Sequence, residues 1–497
     1  MTMRLDELLR GIADAPALTV TGLSADSRRL RPGEAFFALA GASSHGLAHA
    51  RAALAAGASA VLWEPGPGAV DVLAALPPDA PLLRIEALSR VAGIIASRFH
   101  GEPSSRLQVV GITGTDGKTS CSHYLSHALH RLGVPCGLLG TLGHGPDAGH
   151  LTPGPHTTPG PLDLQAALAS LRAGGSRAVA MEVSSHALDQ ERAAGVHFAG
   201  AVFTQLGRDH LDYHRDIGDY AAAKRRLFTW PGLGFAVLNQ NDATGARWAD
   251  ELAGGTRVIR YGLGAGGWAG EWIAASAVQA DADGLRLELH ASDGARATLR
   301  CGLLGHFNAA NLLAVLAALR GLGHGLAASA AALTEVRGAP GRMERLAHPG
   351  RALAVVDYAH TPDALRTVLG TLRDLSPRRL WCVFGCGGER DRGKRSLMGA
   401  VAEALSDYVV LTDDNPRGED ATAIVADIQR GLRQPDRAYV HRDRACAIRF
   451  ALGQADQRDI VLVAGKGHED YQLIGSRRLP FSDRQVILDC QREAQAA

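Results

Sequence analysis

Residues 111–120 read GITGTDGKTS, a glycine-rich stretch that ends on a lysine and two hydroxyl residues. Gly114 and Gly117 let backbone N–H groups turn toward an anion, and a helix starting there adds the partial positive charge of its N-terminus. Lys118 supplies a cation for phosphate oxygens and Thr119 a hydroxyl for a hard metal such as Mg2+. Thr115, Asp116 and Ser120 complete the loop. The strict phosphate-loop pattern asks for glycine at position 112, where Ile112 stands, so this is the shorter GTxGKT form. A plain turn is the alternative, and the flanks weigh against it. LQVVGI reads as a strand and SCSHYLSHALHRLG as a helix, the context that phosphate binding requires.

Other reactive groups are less telling one at a time. Glu182 ends the apolar run RAVAMEV, where a carboxylate can hold magnesium opposite Thr119; alone it would pass for a solvated strand-end acid. His210 in RDHLDYH alone reads as a hydrogen-bonded structural histidine. Lys224 in YAAAKRRLF reads as one of three solvated cations on a helix face. DDNPRGED, residues 413–420, has the composition of a turn.

The elements that must position these groups form an α/β chain. At 497 residues the sequence is too long for one core, and about three domains are expected. We place them at 1–103, 104–337 and 338–497, with GEPSS (101–105) as a linker and VRGAPGRME (336–344) at the second boundary. LTVTGLSADSRRLRPGEAFFALAG reads as strand, loop, strand, and ALSRVAGIIASRFHG as an amphipathic helix. RAVAMEV and AGAVFTQL follow the glycine loop as strands of a central, mostly parallel sheet. LAVVDYAH, RLWCVFGCGG, DYVVLTDDNPR and DIVLVAGKGHED repeat the strand-then-polar-loop pattern in a second, Rossmann-like unit. The Ala- and Gly-rich stretches RAALAAGASA and AVLAALRGLGHGLAASAAAL read as packed helix.

A net charge of +1 with 21% charged residues excludes a polybasic nucleic-acid binder and a disordered tail. The N-terminus MTMRLDELLRGI carries acids where a signal peptide would be basic and then apolar, and no apolar run is long enough to cross a bilayer, so a cytoplasmic protein is expected. Seven scattered cysteines suit neither a disulfide framework nor a zinc pair; we expect them reduced and mostly buried.

The GTxGKT loop resembles that of the Mur ligases and folylpolyglutamate synthases. MEVSSHALDQER, RDHLDYH, YAAAKRRLF, GHFNAANLLA, GRMER, VDYAHTPDAL, FGCGGERDRGKR, DDNPRGED and GKGHEDYQ resemble, in order and spacing, motifs of the Mur ligases that add the third peptide residue. The resemblance runs from near Asp26 to Asp483. It implies an N-terminal unit for a UDP-linked substrate, a central ATP-binding unit and a C-terminal unit for an amino acid. The implied reaction is ATP-dependent amide formation, joining meso-diaminopimelate to the D-glutamate of a UDP-muramoyl dipeptide through an acyl phosphate. It further implies Mg2+, two ions in all, and a monomer acting on small molecules without nucleic acid or membrane insertion.

Residue by residue, the resemblance makes Lys118, Glu182, His210 and Lys224 the catalytic set, with Thr119, Glu182, His210 and a carbamylated Lys224 as metal ligands. Asn308, Asn311, Arg342 and Asp357 would contact the nucleotide. Ser27 and the Ala42–Ser43–Ser44 loop would meet the uridine end. His156, Thr157, Thr158, Ser184, Gln190 and Arg192 would lie near the sugar and dipeptide. Asp414, Asn415, Pro416 and Arg417, with Arg390, Gly465 and Glu469, would recognise diaminopimelate. There Arg417 can fork onto the distal carboxylate, Glu469 and Gly465 can take the distal ammonium, and Pro416 stiffens the loop. Asp116, Gln205, Gly207 and Asn241 depart from the family's usual residues. Asp116 is expected to repel the polyphosphate unless a cation or proton compensates. Two other readings stay open: a related ligase with another acceptor, such as a folylpolyglutamate or cyanophycin synthetase, and a nucleotide-binding scaffold that has lost turnover.

Overall fold

The computed structural model describes residues 2–41, 45–210, 213–281 and 283–496. Ahead of the glycine loop, the strands Gly22–Ser24, Glu34–Ala38, Ala60–Trp63 and Leu82–Arg84 form a parallel sheet in that order. The helix Leu88–Phe99 covers it, packing Leu88, Ala92, Ile95 and Phe99 with Phe37 and Leu62. GEPSS is not a loose linker: Pro103–Arg106 form a short 3-10 turn, and the buried Ser104 accepts a hydrogen bond from His197 N.

The central sheet orders six parallel strands as Arg257–Leu263, Phe235–Asn239, Phe198–Phe203, Gln108–Thr113, Ala178–Glu182 and Cys136–Gly140. Helices cover both faces, so these strands read as unbroken apolar runs rather than alternating ones. Successive side chains still part company. Val110 and Ile112 pack with Tyr124, Leu125 and Leu313 on one face, while Val109 packs with Leu164, Leu168 and Phe198 on the other. Gln108–Thr113 lies between Ala178–Glu182 and Phe198–Phe203, so the glycine loop leaves the sheet beside Glu182 and Thr204, beyond the carboxyl ends of the strands.

Two features differ from the sequence reading. The sheet continues through Glu271–Asp281, Gly284–Ala291 and Arg296–Cys301, the last two pairings antiparallel. There Leu285, Leu287 and Leu289 are buried while Arg286 is exposed, the alternation of a sheet with one covered face. The stretch AVLAALRGLGHGLAASAAAL is two helices, His306–Gly321 and Leu326–Ala332, because Gly323 takes a left-handed turn at φ +95°.

In the C-terminal sheet Leu353–Asp357, Ile460–Ala464, Leu380–Phe384 and Tyr408–Leu411 run parallel in that spatial order. The polar loops that follow them all emerge at one edge. Five of the seven cysteines are buried and none is paired. Among the described residues no helix is long and apolar enough to cross a membrane.

Candidate active site

The glycine loop is fixed from several sides. Gly117 begins the helix Lys118–Arg131 at φ +84°, and a Cβ there would lie 2.6 Å from Asn311 Oδ1, so both backbone and space demand glycine. Thr204 Oγ1 donates to Asp116 O (2.6 Å), and Gly207 N donates to Thr115 Oγ1 (2.8 Å). Lys118 folds over the loop, its Nζ donating to Gly114 O and Thr115 O, both at 2.8 Å. Burial lowers the pKa of this lysine, while Glu182 and Asp116 act to raise it.

Glu182 is no solvated acid. It is 1% exposed and accepts from Thr119 Oγ1 (3.0 Å), Thr141 Oγ1 (2.9 Å) and Thr141 N (3.0 Å). Thr141 in turn meets Thr157, Oγ1 to Oγ1 at 3.1 Å. The sequence reading passed over Thr141; its one signal is its place directly after the strand Cys136–Gly140, next to Ala178–Glu182 in the sheet.

Lys224 overturns its own plain reading as a solvated cation. It is 1% exposed, its Nζ donates to Gly114 O at 2.9 Å and it lies 4.3 Å from the Tyr220 ring centroid. Burial, then the charge of Lys118, holds its pKa well below the ordinary lysine value. Tyr220, also unmarked in the sequence reading, joins the set: its hydroxyl is 3.2 Å from Thr115 Oγ1 and its ring 6.0 Å from the ring of His210. His210 has a left-handed backbone (φ +55°) and packs edge-on against His186 at 4.8 Å. Such a conformation in a non-glycine residue is uncommon and costs about 1–3 kcal/mol, and it clusters at working sites.

Thr119 and Glu182 offer a hydroxyl and a carboxylate oxygen side by side, an all-oxygen pair that suits a hard divalent cation. Among the described residues no group of three or more His, Cys, Asp or Glu could hold a metal unaided. A cation at this place therefore needs further oxygens, such as those of substrate phosphates.

Asp116 does not stand alone: Gln205 Nε2 donates to its Oδ2 at 2.9 Å, so two of the residues that depart from the family pattern pair with each other. Asn241, a third, bridges Leu263 by accepting from its N and donating to its O, a two-way bond that an ionised aspartate could not make.

Around the end of Ala178–Glu182, Thr158 Oγ1 donates to Glu182 O (2.9 Å) and accepts from Ser184 N (3.1 Å), and Ser184 caps the next helix. Arg192 donates to Thr158 O and to Gln190 Oε1, and Gln190 donates to Tyr213. Burial, then the charge of Arg192, lowers the pKa of His156. Ser27 sits in the turn after Gly22–Ser24, whereas Ala42, Ser43 and Ser44 lie outside the described residues.

Asn308 and Asn311, expected at the nucleotide, are used within the protein. Asn308 accepts from Tyr124 and from Asn311 and donates to Leu304 O, and Asn311 backs Gly117. Arg342 lies over the Tyr358 ring at 4.8 Å, and its buried Nε meets no hydrogen-bond partner among the described residues. Asp357 accepts from Met343 N and Ala359 N; burial raises its pKa and Arg342 lowers it. The charge of Arg342 also acts to lower the pKa of Lys118.

At the C-terminal sheet edge, Asn415 is almost wholly buried. Its Nδ2 donates to Glu469 Oε2 (2.8 Å), and its Oδ1 accepts from Lys466 Nζ (3.0 Å) and Leu473 N (2.9 Å). Asp414 lies over Gly465 (φ +113°), where a Cβ would come 2.7 Å from Asp414 Oδ2. Arg417, left-handed at φ +52° after the buried Pro416, donates through Nη1 to Gly388 O at 2.7 Å; its other side-chain donors meet no acceptor among the described residues. A Cβ at Gly387 would lie 2.9 Å from Arg417 Nη1 and 3.7 Å from Arg390 Cγ, which places the two cations about one glycine that the sequence reading missed.

The chain matches the Mur ligase family, catalytic domain, over residues 19–100, the Mur ligase middle domain over 112–319, and the Mur ligase, glutamate ligase domain over 341–467. With this fold and these matches, it belongs to the Mur ligase family. Within that family it is 51% identical, over 100% of both chains, to the UDP-N-acetylmuramoyl-L-alanyl-D-glutamate--2,6-diaminopimelate ligase of Alkalilimnicola ehrlichii. It is 49% identical to the ligase of the same name from Xanthomonas campestris pv. campestris, with 97% of this chain and 96% of that protein covered. A solved structure titled as a ligase of that name superposes with a TM-score of 0.73 at 36% identity, covering 100% of both chains.

Proposed function

We propose that this chain joins meso-diaminopimelate to the D-glutamate side chain of UDP-N-acetylmuramoyl-L-alanyl-D-glutamate, with ATP as the energy source, in building peptidoglycan. One observation carries the choice of amino acid. Arg417, whose other side-chain donors meet no acceptor among the described residues, follows Asp414 and Asn415 in one loop, and Asn415 bonds to Glu469, so the loop brings a cation and carboxylates to meet the zwitterionic far end of diaminopimelate. The names of relatives that match the whole length point the same way.

In the first step an oxygen of the substrate carboxylate bonds to the γ-phosphorus of ATP while the bond to ADP breaks. The amine of diaminopimelate then attacks the acyl carbon, the tetrahedral adduct expels phosphate, and the nitrogen gives up its proton as the amide forms. Such chemistry rests on alignment and charge neutralisation more than on covalent help from the protein. Lys118 trades its two loop carbonyls for phosphate oxygens. Thr119 and Glu182 would hold one Mg2+, and His210 with a carbamylated Lys224 would hold a second; when bound, such ions would neutralise charge on the phosphates. Arg342 and Asp357 reach the nucleotide from the C-terminal unit, and Asn308 and Asn311 brace the loop that carries it. Ser27 and the 42–44 loop bind the uridine end, and Thr157, Thr158, Ser184, Gln190 and Arg192, with His156, bind the sugar and dipeptide. Closure of the three units, at 1–103, 104–337 and 338–497, brings these partners together. ATP is a cytoplasmic reagent, so the enzyme acts there, as a monomer on small molecules. Isolation of the product tests the assignment: the UDP-muramoyl dipeptide must gain the mass of one diaminopimelate less one water.

Asp116→Asn keeps an oxygen for Gln205 but removes a charge beside the phosphates. Its KM for ATP should fall by a few-fold, whereas Gln205→Ala, which frees the carboxylate, should raise it. Steady-state kinetics in ATP check both, and a rise in KM for Asp116→Asn would show that the aspartate helps binding.

A further inference from the structure

The amino-acid pocket contains a cation to which nothing above gives a role. Lys466 is wholly buried, and its Nζ reaches Glu469 Oε2 (2.9 Å), Asn415 Oδ1 (3.0 Å) and Asp414 Oδ1 (3.7 Å), with the Tyr471 ring centroid at 5.5 Å. Its backbone is pinned. Gly465 and Gly467 on either side take φ +113° and +52°, and a Cβ on Gly467 would lie 2.8 Å from Gly341 O and from Tyr358 Cβ. Ala464 O, two residues before Lys466, accepts from Arg444, which is locked in a fully buried ion pair with Asp483. Burying an ammonium is costly unless it is paired, and an apolar side chain of equal size would fill the space as well. What the ammonium adds is aim: one donor gathers an oxygen from each of three residues in two loops that are distant in sequence.

We propose that Lys466 is the positioning residue of amino-acid recognition. It draws Asp414, Asn415 and Glu469 into one arrangement and cancels one of the two carboxylate charges, so this cluster presents a single net negative charge to the distal ammonium of the amino acid. Glu469 Oε2 is taken up by Lys466 and Asn415, whereas Oε1 takes no hydrogen bond from a described residue and is the atom left for the substrate. This inference rests on the diaminopimelate assignment and goes beyond it by saying what holds the recognition loop in register.

The test is steady-state kinetics of Lys466→Met and Lys466→Gln, with KM measured for each of the three substrates well below the melting temperature. KM for diaminopimelate should rise ~10-fold or more, as when a buried polar group loses its partner, while KM for ATP and for the UDP-muramoyl dipeptide stays within about two-fold. Lys466→Arg, which keeps the charge, should recover part of the loss. A merely structural role would lower the melting temperature and leave KM for diaminopimelate unchanged in the folded variants, and that result overturns the proposal. Failure of both neutral variants to fold overturns it too, since the lysine would then hold the domain together rather than aim the loop. If the wild type does not use diaminopimelate at all, the assignment fails before the lysine is tested.

Discussion

Lys224→Ala should abolish turnover, and added acetate or formate should restore part of it. In the structure Lys224 is buried beside the glycine loop with Lys118 close by, a place where a second ammonium is unwelcome. Those influences favour the neutral amine, which can bond through nitrogen to the carbon of CO2 and release one proton, turning a cation into a carboxylate-like anion. Such a group can help hold a divalent cation that an ammonium would repel. A short carboxylate diffusing into the cavity left by alanine replaces the oxygens but not the tether, so rescue should be incomplete. A carbamate carbon signal in the 13C NMR spectrum of enzyme equilibrated with labelled bicarbonate, absent from Lys224→Ala, checks the modification directly. Unmodified lysine density in a nucleotide-bound crystal would sink it.

The second large effect is on selectivity. Diaminopimelate differs from L-lysine by a carboxylate at the far end, and Arg417 is the cation set to meet it. With lysine bound, the arginine would be left unpaired in a partly buried pocket; sites that pair a polar group reject analogues lacking it by as much as ~10⁴–10⁵. Arg417→Ala should therefore collapse the preference for diaminopimelate, chiefly by lowering its kcat/KM, with little gain for lysine. Competition kinetics with both amino acids, for wild type and variant, measure this. Unchanged selectivity in the variant would place the specificity elsewhere in the loop.

The strands that carry the site were legible because apolar runs such as LQVVGI, RAVAMEV and DIVLVA are buried on both faces and end in polar loops. The phosphate loop was legible for the same reason, since its neighbours fix its context. Residues whose work depends on contacts far along the chain were not. Thr141 matters because its strand lies next to that of Glu182, Gly387 because Arg417 and Arg390 converge on it, and Lys466 because two loops fold over it. The burial of Lys224 was hidden by the two arginines after it, although Tyr220, Ala221 and Ala223 of the same helix are buried with it. The antiparallel extension at 271–301 went unread because its alternation does not resemble the central strands. The internal bonds of Asn308 and Asn311, to Tyr124, Leu304 and each other, were likewise not legible, since the partners lie on other elements or other turns.

The central claim, that three substrates are joined in one ATP-driven reaction, is tested most directly by phosphate release from the purified enzyme with each substrate omitted in turn. Phosphate should accumulate steadily only when ATP, Mg2+, the UDP-muramoyl dipeptide and meso-diaminopimelate are all present, one phosphate for each tripeptide formed. Sustained release without diaminopimelate, release with a folate or another acceptor in place of the muramoyl dipeptide, or no release under any combination would contradict the account.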